Sequence, residues 1–179
     1  MKKSSLISTI AFAFIMLLST NVEAQKFPGL DVSPLDLAAY PSRGADKVIK
    51  VFYSRPQLKG RTIGTDLAPY GKLWRTGAND ATEIIIFSDV KFGDKVVKAG
   101  TYSLFTIPNE KEWTIIISSD TNNWATSGYK ESNEVARITV PATKGDESIE
   151  AFAITFDEKG TMHMGWGNIR VAVPFTKLM

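Results

Sequence analysis

From Lys47 to Phe175 the chain alternates apolar and polar residues in short runs, interrupted by glycine, proline, asparagine and aspartate. That pattern restricts the fold more than anything else in the sequence. A period of two puts alternate side chains on opposite faces of a strand, whereas a helix needs an apolar stripe every 3.6 residues or so. No such stripe here runs longer than about two turns. In "KVIKVFYS", Ile49, Val51 and Tyr53 share one face. "TEIIIFS" and "WTIIIS" are apolar on both faces, as expected of central strands covered on both sides. "KFGDKVV" holds a Gly93-Asp94 turn and reads as a tight hairpin. "AGTYSLFTIP", "EVARITV", "SIEAFAITF", "TMHMGW" and "IRVAVPF" complete the set, and Phe152, Ile154 and Phe156 point one way in the third of these. About nine short strands at this spacing predict an all-β fold, an antiparallel β-sandwich of jelly-roll-like form.

The N-terminus follows a different logic. Lys2 and Lys3 precede an apolar run from Leu6 to Leu18, and "STNVEA" then places Val22 and Ala24 as small residues before a cut. This is the layout of a signal peptide over residues 1–24, with a mature start at Gln25. The run is too short to cross ~30 Å of hydrocarbon comfortably. The expectation is export to the periplasm or beyond, with no stable membrane insertion after cleavage. Cleavage removes two lysines and one glutamate, which takes the formal charge from +2 to +1. A balance that small predicts no nucleic-acid partner. Residues 25–45 carry three prolines and two glycines. They read as an extended arm with one helical turn at Pro34–Ala39, lying against a domain of residues 46–179 through Phe27, Leu35, Leu37 and Tyr40. The composition gives no indication of oligomeric state.

The residue inventory narrows the chemistry. The chain has no cysteine and one histidine, so disulfides, thiolate chemistry and a nitrogen–sulfur metal cage are all out of reach. No metal and no cofactor is expected. His163 lies in "TMHMGW" opposite Met162, Met164 and Trp166, the position of a surface or packing residue. No nucleophile elbow, zinc-protease motif or phosphate loop is present. "SDTNN" offers oxygen atoms but lacks the glycine and closing glutamate of a calcium loop, and reads as a turn. Trp124 and Tyr129 in the long gap that follows read as a seal over one end of the sandwich.

One stretch departs from the strand-and-turn grammar. "PYGKLWRTGANDAT", Pro69 to Thr82, mixes Tyr70, Trp74, Arg75, Asn79 and Asp80 with two glycines. Glu83 follows, on the face of Ile85 and Phe87, and Arg75 across the turn is its nearest cationic partner if that face is core. Tyr53 and Arg55 share a face one strand earlier, and Arg61 follows the next turn. Tyr53, Arg55, Arg61, Trp74, Arg75, Asn79 and Glu83 therefore make up the candidate ligand-binding site. Three readings follow. Trp74 could stack a small polar, anionic or sugar-like ligand whose oxygens the arginines take, with Asn79 fixing its orientation. Glu83 could act as acid or base with arginine stabilisation, Asp80 or Asp66 being the nearest second carboxylate. An arginine–glutamate network could instead simply pin the loop, in a structural or interaction protein of the cell envelope.

The segments "SPLDLAAYP", "YSRPQLKGR", "LAPYGKLWRTGANDATEI", "KAGTYSLFTIP" and "EWTII", in this order, resemble the DUF2911 family. The resemblance runs from about Ser33 to Pro174. It implies an exported protein, mostly found in Bacteroidetes, and no assigned activity. Where the family usually reads "GANEAT", Asp80 here shortens the acidic side chain by one carbon and keeps its charge.

Overall fold

The computed structural model describes residues 24–178. The folded unit begins at Asp31. Of the expected signal peptide, residues 1–23 lie outside the described residues, and residues 24–30 carry no strand or helix.

The folded unit is an all-β, antiparallel sandwich of ten strands rather than about nine. In chain order these are β1 (Leu35–Tyr40), β2 (Ile49–Ser54), β3 (Ala78–Ile86), β4 (Val90–Phe92), β5 (Lys95–Val97), β6 (Gly100–Pro108), β7 (Glu112–Ser118), β8 (Glu134–Phe156), β9 (Met162–Val173) and β10 (Phe175–Lys177). A seven-stranded sheet runs β1-β2-β3-β6-β7-β8-β9, and a three-stranded sheet runs β10-β4-β5. Between described residues the only helical turn is a 3-10 turn at Glu131–Asn133. The β4–β5 hairpin turns on Gly93, whose φ of 58° suits a residue without Cβ.

The large sheet curls into a half-barrel because β8 is long enough to serve two neighbours. Its first part pairs with β7 from Glu134 to Pro141, and the remainder pairs with β9. Further along, Gln57 bridges Ala151, and the Phe152 N–H donates to the Pro56 carbonyl at 2.9 Å. The far half of β8 thus folds back over the end of β2. Val90, Phe92, Val97 and Phe175 from the small sheet join Ile49, Val51, Ile84, Ile86, Leu104, Ile115 and Ile117 in one apolar core.

The strand faces settle by burial. Ile49, Val51 and Tyr53 face inward at 0–2% exposure, and Ile115, Ile116 and Ile117 are buried on both faces of β7. On β3 the inward face carries Thr82, Ile84 and Ile86; Glu83 and Ile85 lie half-buried on the outer face and Phe87 is exposed there. The arm expected at residues 25–45 needs correction: Leu35–Tyr40 is a strand, not a helical turn, and it pairs with β2 along its whole length. Leu35 and Leu37 point outward and are exposed, while Ala38 is buried and Asp36 is bound to Tyr53 and Arg55. An inward carboxylate on an edge strand discourages pairing with another sheet, and it also conceals the strand's apolar period.

Candidate functional site

The Pro69–Thr82 stretch is tied down along its length by β6 and β3. The Trp74 N–H donates to the Thr106 carbonyl at 2.7 Å, and the Thr106 N–H returns the bond at 2.9 Å. The Thr82 N–H reaches the Arg75 carbonyl at 3.0 Å, and Thr82 Oγ1 donates to the Thr76 carbonyl at 2.9 Å. Thr76, Thr82 and Thr106 are all buried. Together they hold Thr76 at a φ of 57°, a left-handed conformation that β-branched residues avoid. Gly77 follows because a Cβ there would stand 2.9 Å from the Ser54 carbonyl oxygen.

The seven candidate residues do not converge on one point. Tyr53 is buried; the Ile154 N–H donates to its Oη at 2.9 Å, and burial raises its pKa. Arg55 donates from Nε to the Phe152 carbonyl at 2.9 Å and from Nη1 to Asp36 at 3.1 Å. Arg61 is exposed and donates to the carbonyls of Leu58 and Gln57. Asn79, at a φ of 57°, accepts the Ala125 N–H at its carbonyl. Trp74 is 8% exposed, stacked on Trp166 at 5.5 Å and 12° and edge-on to Trp113 and Phe152. Stacked on Trp166 and nearly buried, it is a core indole that adds only a small surface to a cleft, not an open stacking platform. Arg75 and Glu83 form no ion pair, because Glu83 turns to the outer face while Arg75 stays beside Trp74 and Trp166. The five ion pairs between described residues are Arg55–Asp36, Lys98–Asp89, Arg137–Glu131, Arg137–Glu134 and His163–Asp157.

Two of the clefts among the described residues are lined by candidate residues, and they have no lining residue in common. The larger, about 390 Å³, surrounds Glu83. Its floor follows from strand register: Phe52 lies opposite Glu83, and Glu83 opposite Ser103, so all three share the outer face. Its wall is the long loop after β7. The Ala81 N–H donates to the Asn123 carbonyl at 2.9 Å, and Asp80 bridges Trp124, which bring Asn122 and Asn123 beside Glu83. Asp80 would fall on the opposite face of a flat strand. A register shift between Phe52 and Ser54 and the left-handed Asn79 twist the start of β3, and both carboxylates line the cleft.

That loop is itself well anchored. Asp120 accepts from Ser118 Oγ, the Lys130 N–H and Asn133 Nδ2, and these bonds, Asn133 first, hold its carboxyl below the ordinary range. The "SDTNN" turn is therefore built by its aspartate, and its two asparagines are the polar groups that reading it as a turn passed over. Tyr129 packs edge-on to Phe105 at 5.1 Å and donates to Glu134, so it covers the outer face of β6 rather than an end of the sandwich. Burial and the Glu134 carboxylate push its phenol up to about 12. Trp124 is 66% exposed and seals nothing.

The second cleft, about 280 Å³, lies between Pro56, Leu67, Ala68, Leu73, Trp74 and Trp166, with Arg75, Asp66 and Thr126 as its polar groups. Among the described residues, four buried side-chain polar atoms have no hydrogen-bond partner: Arg75 Nε, Ser88 Oγ, Trp113 Nε1 and Asn123 Nδ2. Two of those four belong to cleft-lining residues, one in each cleft. No group of three or more histidine, aspartate or glutamate side chains among the described residues could hold a metal ion. No described helix is long and apolar enough to cross a membrane.

The fold is that of an antiparallel all-β protein, and Glu83 and Arg75 line separate clefts on it. The chain belongs to the family described as Protein of unknown function (DUF2911), which it matches over residues 33–175. No curated protein and no solved structure matches it.

Proposed function

We propose that the protein is an exported binding module and that the Glu83 cleft takes a small, neutral, hydroxyl-rich ligand of the sugar class. The observation that carries this reading is the unpartnered Asn123 Nδ2, on a side chain only 8% exposed that lines a cleft with two carboxylates. A buried donor without a partner costs about 1–3 kcal/mol, which a ligand acceptor recovers. The same ligand must donate to Glu83 and Asp80. Hydroxyl groups do both; an ammonium offers no acceptor, and an anion meets two carboxylates with no cation lining the cleft. Phe52 and Leu35 supply an apolar patch for the C–H face of a ring.

Catalysis by Glu83 with arginine stabilisation lacks support in this geometry, since Arg55 and Arg61 are occupied elsewhere and Arg75 lines the other cleft. Calorimetric titration with neutral mono- and disaccharides tests the binding reading. Glu83→Gln should weaken binding about tenfold or more with the fold intact by circular dichroism. A panel in which nothing binds, or binding unchanged in Glu83→Gln, contradicts it. Export to the periplasm or medium rests on the N-terminal pattern alone. Mass spectrometry of protein from its native envelope should find Gln25, free or cyclised, at the terminus; a protein starting at Met1 overturns it.

A further inference from the structure

We propose that the Arg75 cleft is a second, independent binding site, for a small organic monocarboxylate with an apolar body. The other structural arginines are satisfied: Arg55, Arg61, Arg137 and Arg170 each make at least two hydrogen bonds. Arg75 has a buried Nε with no partner and no carboxylate within ion-pair distance among the described residues. Its backbone is fixed on both sides by the Trp74–Thr106 bridge and the Thr82 N–H, so the guanidinium is presented from a rigid base. The following residue, Thr76, is held in the left-handed region, the kind of local strain that accumulates at ligand sites. Burial lowers the Arg75 pKa, as desolvation of an unpaired cation must.

The chemical class follows from the lining. A guanidinium fork matches a carboxylate geometrically, and Thr126 adds a hydroxyl. Pro56, Leu67, Leu73, Trp74 and Trp166 offer apolar wall for the rest of the ligand. Asp66 also lines the cleft, its Oδ2 accepting the Thr62 N–H at 2.9 Å. A fixed carboxylate nearby penalises a second negative charge, which selects a monoanion over phosphate or a dicarboxylate.

Phenylacetate is a suitable probe, read by tryptophan fluorescence in a Trp124→Phe background, because Trp74 and Trp166 line the cleft whereas Trp124 is exposed. Saturable binding with a Kd on the order of 1 mM is expected for a ligand of this size. Phenylacetamide and the Arg75→Gln variant should each bind roughly ten- to a hundredfold more weakly, Arg75→Lys should fall between, and inorganic phosphate should not bind. No saturable response to phenylacetate, or equal affinity for acid and amide, overturns the proposal. Should Arg75→Gln fail to fold by circular dichroism, the comparison of acid with amide on the unaltered cleft decides. Saccharide binding at the Glu83 cleft should survive Arg75→Gln, so failure of either site leaves the other standing.

Discussion

Replacing Trp74 with alanine separates a core indole from a ligand platform. Trp74 is 8% exposed and touches Trp113, Phe152 and Trp166. A tryptophan buries about 150–250 Å², which at ~25 cal/mol per Å² corresponds to roughly 4–6 kcal/mol. Alanine retains part of that, and partial collapse of the site recovers more, while lost aromatic contacts add to the cost. The backbone bridge to Thr106 does not depend on the side chain. The net expectation is a loss of about 4 kcal/mol, large against the ~5–15 kcal/mol that stabilises a typical domain. Urea unfolding should show a lower midpoint with an unchanged slope. Trp74→Phe, which keeps an edge-on ring, should lose less. A Trp74→Ala loss below about 1 kcal/mol at unchanged slope would place the indole outside the core and refute the burial argument.

Two further outcomes follow from the electrostatics. Arg75→Ala and Glu83→Ala should each change stability by less than about 1 kcal/mol, and their double-mutant cycle should show no coupling; a coupling above about 1.5 kcal/mol would restore the clamp between them. Asp157 accepts from His163 at 3.2 Å and from the backbone N–H groups of Thr161 and Lys159, which hold its carboxyl down from 3.8 to about 2. A depressed carboxylate contributes stability above its unfolded value, and that contribution is lost as pH falls from 3.8 towards about 2. Asp157→Asn should therefore flatten the urea midpoint across that window, and an acid profile identical to wild type would contradict it.

The parts of the fold that were legible in the sequence are those decided by local period. Ile49, Val51 and Tyr53, the two isoleucine-rich strands and the Gly93 turn each carry their signal within a few residues. β1 did not, because prolines at 34 and 41 bracket it and its inward face carries Asp36 and Ala38. β8 read as two strands split at "PATKGDE". Pro141 pairs with Glu112 at the start of β7, and the register shift between Lys144 and Ile149 absorbs the rest, so the chain continues without a break.

The candidate site was legible as a list of residues but not as an arrangement. Period two placed Glu83 with Ile85, yet whether that face is core or solvent depends on where the sheet curls. Trp74 finds Trp166 far along the chain, a contact with no local signature. Asn123 is the clearest omission. It sits in a segment whose polarity suits a turn, and its significance comes only from the bridge that lays the loop against β3.

The central claim, a polar-ligand site centred on Glu83, is tested most directly by amide chemical-shift mapping. The ¹⁵N-labelled mature protein would be titrated with neutral saccharides. Saturable shifts should concentrate on Phe52, Asp80, Ala81, Glu83, Ser103, Asn122 and Asn123, the residues that line the cleft, and should vanish in Glu83→Gln. Shifts confined to other surfaces, or none with any saccharide, would contradict the account.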